Sequence, residues 1–107
     1  IIESLLDKKG KDIRVLDLRQ LTQSVADYFI ICHGNSTTQV DALANNIEHQ
    51  TRTILKQHVI HKEGNENSQW ILLDYGDIVV HVFIENIRRF YNLEELWGDA
   101  EIDYIKE

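Results

Sequence analysis

The sequence predicts a single-domain α/β fold: a mixed sheet of about five strands, with helices chiefly on one side. Three observations predict it. Residues 70–84, WILLDYGDIVVHVFI, are two apolar runs around a Gly-Asp pair, the pattern of a hairpin, because Gly supplies positive φ without steric cost and Asp tolerates turn geometry. Residues 28–62 read strand, helix, strand, a crossover expected to be right-handed. At 107 residues and 43% apolar, the whole chain (1–107) has material for one small core and no second domain.

Taken in order, Ile1, Ile2, Leu5 and Leu6 recur at helical spacing before Gly10, so the start reads as the end of an amphipathic helix with the glycine as its stop. The chain begins with Ile rather than Met, and a longer native product is expected. Residues 12–18 alternate Ile13 and Val15 with Arg14, a strand partly facing water. Residues 22–26 suggest a short turn or a single helical turn, with Thr22 placed to cap it, and residues 28–33 a more buried strand. Ser36 with Gln39 matches a capping box opening a long helix. On it Val40, Leu43, Ala44, Ile47, Ile54 and Leu55 share one face through to about Gln57. Residues 59–62 resume as a strand, and residues 63–68, with Gly64 and two Asn, form a polar loop. After the hairpin comes a charged helical piece. Asn92 then caps a short helix carrying Leu93, Leu96 and Trp97, which Gly98 ends. Residues 99–107 read as an acidic tail with Ile102, Tyr104 and Ile105 as anchors.

The hairpin supplies the candidate functional surface. Its two-residue loop is either Tyr75-Gly76 or Gly76-Asp77, and both registers sort the side chains identically. Ile71, Leu73, Tyr75, Ile78, Val80, Val82 and Ile84 form a nearly pure hydrocarbon face, hence core. Trp70, Leu72, Asp74, Val79, His81 and Phe83 form the other. Large aromatics mixed with a His and an Asp suit a surface covered by another molecule, so Trp70, Leu72, Asp74, His81 and Phe83 are the expected partner-binding residues, with core packing the alternative for Trp70 and Phe83.

Catalytic and metal chemistry find little support. A phosphate-cradling loop needs several glycines so that backbone amides converge on the anion, and Gly34 stands alone. Two-metal nucleotidyl transfer needs converging carboxylates, whereas Asp74 and Asp77 flank a turn and are best read as turn residues. His58 and His61, three apart in a strand, face opposite sides and share no ion. His81 has no Ser or Cys nucleophile visible nearby. The single cysteine, Cys32, reads as a small buried hydrophobe. No catalytic residue, metal or cofactor is therefore expected; a nucleotidyltransferase-type enzyme stands as the alternative class.

Charge narrows the partners. Eighteen acidic residues against eleven basic give a net charge of −7, which disfavours a primary grip on nucleic acid; it serves solubility on the plainest reading and, if it selects a partner, favours a basic one. With no run of 18 apolar residues and no secretory pattern, the sequence predicts a cytosolic protein that engages no membrane.

The hairpin WILLDYGDIVVHVF, followed by Arg88, Phe90, Tyr91, Leu93, Glu94, Leu96, Trp97, Asp99 and Ala100, resembles the Iojap family, the ribosomal silencing factors. So does DYFIICHGNSTTQVDALANNI at residues 27–47, and together the two stretches span nearly the whole chain. Asn86 and His33 depart from that pattern, which usually has Glu and a small hydroxyl residue at those places. The resemblance implies a small α/β protein with a nucleotidyltransferase-like core lacking catalytic residues. It also implies docking on the large ribosomal subunit through its fourteenth protein, obstruction of small-subunit joining, and a homodimer in isolation. The apolar content, high for so small a domain, agrees with the last of these.

Overall fold

A computed structural model describes residues 1–21 and 26–106. The expected turn at 22–26, with its Thr22 cap, lies outside the described residues except for Ala26. The elements run α1 (Ile2–Asp7), β1 (Lys11–Asp17), β2 (Tyr28–Gly34), α2 (Thr37–Thr53), β3 (His61–Glu63), β4 (Trp70–Asp74), β5 (Ile78–Ile84), α3 (Glu85–Tyr91), α4 (Leu93–Leu96) and β6 (Glu101–Tyr104). Among the described residues the sheet has six strands, in the order β3-β4-β5-β2-β1-β6. Only the central β2–β5 pair is parallel; the other neighbours are antiparallel. The sixth strand, Glu101–Tyr104, lies within the stretch that reads as a tail in sequence: it pairs with β1, opposing Ile102 to Leu16. The strands flanking α2 are not neighbours, because β4 and β5 lie between β2 and β3.

The sheet separates two apolar clusters. On one face Ile30, Cys32, Ile71, Leu73, Val80 and Val82 pack against Val40, Leu43, Ala44 and Ile47 of α2 and Leu5 of α1. Helix α2 starts as expected, with the Gln39 amide donating to Ser36 Oγ at 3.1 Å. The Gln39 side chain reaches one residue past the usual box: its Oε1 accepts from the Asn35 amide at 2.7 Å, and its Nε2 donates to the Lys9 carbonyl at 3.0 Å. It thus ties the helix start to the α1–β1 loop, where Lys9, not Gly10, takes the positive φ of 61°. The helix ends at Thr53, short of Gln57. Lys56 adopts φ 56° and the Gln57 amide returns to the Thr51 carbonyl at 3.0 Å, leaving Ile54 and Leu55 exposed instead of buried.

On the opposite face Leu16, Leu18, Phe29, Ile31, Val79 and Phe83 form a second cluster, roofed by Ile87 of α3, Leu93 of α4, Trp97 and Ala100. Helices therefore cover both sides, the second only over part of its area, where the expectation had them chiefly on one.

Candidate functional site

The hairpin loop is Gly76-Asp77: the Tyr75 amide donates to the Ile78 carbonyl at 2.9 Å, and Gly76 has φ 92°. Only the first loop residue carries positive φ, the arrangement of a type II′ turn, which keeps the strands' right-handed twist. The register opposes Trp70 to Phe83, Leu72 to His81 and Asp74 to Val79, so all five expected partner-binding residues share one face.

Sharing a face does not give them equal access. Phe83 is fully buried and His81 nearly so, because α3, α4 and Trp97 fold back over the middle of the sheet. The expectation that these two side chains present themselves to a partner is corrected: they lie beneath the surface. Trp70 and Leu72 are half-buried and sit at the margin of that roof. Asp74 is committed locally, its Oδ1 accepting from the Gly76 amide at 2.8 Å, which is the turn role expected for it.

Trp70 is held from three sides. Its ring stacks on Phe83, with centroids 4.9 Å apart and planes 27° from parallel. Tyr91 of α3 lies against it at 4.8 Å, tilted by 46°. Its Nε1 donates to His81 Nδ1 at 3.1 Å. A shallow groove of about 270 Å³ opens beside it, lined by Glu63, Gly64, Trp70 and Leu72. Gly64 is required here: with φ 87°, a Cβ would stand 1.8 Å from the Trp70 carbonyl oxygen, so no larger residue lets the loop lie this close to the strand. The apolar surface continues past Tyr91 to Phe90, ring to ring at 5.1 Å, and α4 exposes Leu96. Phe90 is 78% exposed and Leu96 73%, values that decide in favour of an unfilled apolar surface rather than core. In sequence, residues 90, 91 and 96 stand in the helical piece and among the positions that carry the family resemblance; what marks Tyr91 is its contact with Trp70, and what marks Phe90 and Leu96 is their exposure.

A second feature that composition and spacing leave hidden is Arg88. It is buried, yet its Nη2 and Nε donate to Glu94 Oε1 at 2.6 and 2.9 Å, and its Nη1 donates to the Asp12 carbonyl and to His33 Nδ1, both at 2.8 Å. One side chain thereby joins β1, β2, α3 and α4. His33, the departure noted in the sequence, is the acceptor on β2, and burial followed by the neighbouring guanidinium holds its pKa below the usual value. Cys32 is buried with its thiol pushed up to about 12 by burial, so thiolate chemistry is suppressed. Among the described residues no three His, Cys, Asp or Glu side chains are grouped to hold a metal ion, and no helix is long and apolar enough to cross a membrane.

Comparison with known proteins agrees with this architecture. The family model described as "Ribosomal silencing factor during starvation" matches residues 1–107. The ribosomal silencing factor RsfS of Bacillus subtilis is 49% identical over 96 residues, covering 90% of this chain and 80% of that protein. The chloroplastic protein Iojap of Zea mays is 40% identical over 92 residues, covering 86% of this chain and 39% of that protein. A crystal structure of a Chromobacterium violaceum protein superposes with a TM-score of 0.86 at 39% identity, covering 99% of this chain and 87% of the other. This chain therefore belongs to the ribosomal silencing factor family.

Proposed function

We propose that this cytoplasmic protein represses translation by docking on the large ribosomal subunit, through that subunit's fourteenth protein, and blocking small-subunit joining by its bulk. The observation that carries this reading is Trp70: a half-buried indole clamped between Phe83 and Tyr91, at the lip of a groove rimmed by Glu63. Rigid aromatic anchors ringed by polar residues supply most of the binding energy at protein interfaces. The net charge of −7 suits a basic protein partner and opposes a primary grip on RNA. Steric occlusion needs no chemistry, and Asp74 is already engaged in its turn. Sedimentation of the purified protein with separated subunits tests the proposal: it should travel with the large subunit and reduce joining in proportion to occupancy. Association with the small subunit instead would overturn it.

In isolation the protein is proposed to be a symmetric homodimer. Besides the aromatic surface, it exposes Ile54 and Leu55 beside a groove of about 320 Å³ that Ile1, Ile2 and Thr51 also line. Light scattering should report twice the monomer mass at micromolar concentration; a monomer there removes the claim.

A further inference from the structure

His81 is enclosed in an aromatic box, and its contacts differ in kind. Phe29 meets the ring edge-on at 4.7 Å between centroids, and Phe83 lies nearly parallel at 6.2 Å. Both are contacts a hydrocarbon could make. Nδ1 alone does something a hydrocarbon cannot: it accepts the Trp70 indole N–H at 3.1 Å. Because Nδ1 accepts, the neutral ring carries its proton on Nε2. That atom is buried and, among the described residues, has no hydrogen-bond partner. A buried donor without an acceptor is unfavourable, and a Leu or Phe would fill the same space without it. What offsets that cost is the single bond to Trp70.

We propose that His81 is a positioning residue: as the Nε2–H tautomer it fixes the orientation of the Trp70 indole, so that the docking surface is set before the partner arrives. This rests on the docking role proposed above for Trp70. Stacking on Phe83 and contact with Tyr91 set the plane of the ring, whereas the directional hydrogen bond to His81 Nδ1 sets where its N–H points. A side chain already ordered in the free protein loses less entropy on binding, which is how such a bond reaches affinity without touching the partner.

The test uses the whole chain with His81→Asn, His81→Leu and His81→Phe. An Asn carbonyl can occupy the place of Nδ1 and accept the same N–H, whereas Leu and Phe cannot. In ¹⁵N–¹H spectra the Trp70 indole resonance, assigned with Trp70→Phe, should be shifted downfield and exchange slowly in the wild type and the Asn variant. In whichever of the Leu and Phe variants keeps its fold by circular dichroism, it should move to the free-indole position. Docking on large subunits should weaken about five- to tenfold in that variant and recover with Asn. Unchanged docking with a released indole overturns the proposal, as does an Asn variant that holds the indole yet docks no better than Leu. If Trp70→Ala leaves docking unaltered, the docking reading itself fails, and the indole resonance still reports separately whether His81 holds Trp70.

Discussion

Arg88 and Glu94 form a buried ion pair, Nη2 to Oε1 at 2.6 Å, with the two side chains 6% and 11% exposed. The pair bridges α3 and α4 across the left-handed Asn92 at φ 47°, and the same guanidinium reaches the Asp12 carbonyl on β1 and His33 on β2. It therefore fixes how the two short helices fold back over the sheet, and with them Tyr91 against Trp70. Removing one partner of such a pair leaves an uncompensated buried charge, the larger part of its cost. Arg88→Ala should destabilise the protein by about 3 kcal/mol or more. Replacing both residues with apolar ones of similar volume should cost less than either single change. Urea unfolding of the two single variants and the double variant measures this, and strictly additive losses would show that the pair is not coupled.

Trp70 and Phe83 oppose each other on the same face yet should fail differently. Phe83 is fully buried, so Phe83→Ala should cost about 3–5 kcal/mol of stability through lost burial and the cavity left behind. Trp70, at the surface margin, should cost less in stability and more in docking, where truncating an aromatic anchor weakens binding by about 2 kcal/mol or more, some thirtyfold. Thermal melts paired with subunit sedimentation separate the two. Equal stability losses for both would place Trp70 in the core and remove it from the interface.

Much of this was legible in the sequence, and what was not has a physical reason. The two faces of the hairpin follow from period-2 alternation and from Gly76, both local signals. Ser36 likewise announces the start of α2 by chemistry within four residues. Burial of Phe83 and His81 depends on α3 and α4 returning over the sheet, and the Arg88 hub joins residues 76 positions apart in the chain; neither leaves a periodic trace. Strand β6 escaped because Glu101, Asp103 and Tyr104 are exposed and only Ile102 is half-buried, so its pattern is that of a solvated tail. Its strand character comes from the free edge of β1. Helix α2 reads longer in sequence than it is because Ile54 and Leu55 continue the apolar spacing past Thr53, while the backbone turns away at Lys56.

Acid should loosen the protein through His81. Burial pushes its pKa from 6.5 down to about 4, with the Glu94 carboxylate opposing that shift. The unfolded chain therefore binds a proton between about pH 6.5 and 4 that the folded chain refuses, and stability falls as pH drops through that window. The full difference corresponds to roughly 3 kcal/mol. His33, also held low by burial and by Arg88, contributes in the same direction. Comparing wild type with His81→Asn cancels His33 and the carboxylates. Above pH 7 the two stability profiles should run parallel, and below pH 6 the wild type should lose more. Parallel profiles down to pH 4 would mean that His81 titrates normally.

Salt and nucleotides distinguish an occluding factor from an enzyme. The acidic surface that suits a basic partner acts through charges that are mostly exposed, and at 0.15 M salt such charges are screened beyond about 8 Å. Binding to large subunits should therefore weaken as salt rises. It should not vanish, because the contacts proposed for Trp70, Leu72 and Tyr91 are apolar, and such contacts strengthen in excluded salts such as sulfate. A protein gripping RNA phosphates would instead lose affinity steeply and without a floor. Nucleotide and magnesium should change neither binding nor joining, since the passage from β2 to α2 carries the single glycine Gly34 rather than a glycine-rich loop, and Asp74 accepts from the Gly76 amide. Titration calorimetry with ATP, GTP, CTP and UTP in magnesium, run beside the joining assay at three salt concentrations, measures both. Saturable nucleotide binding with joining unaffected would reverse the assignment and direct attention to Ser36, Asp74 and Asp77.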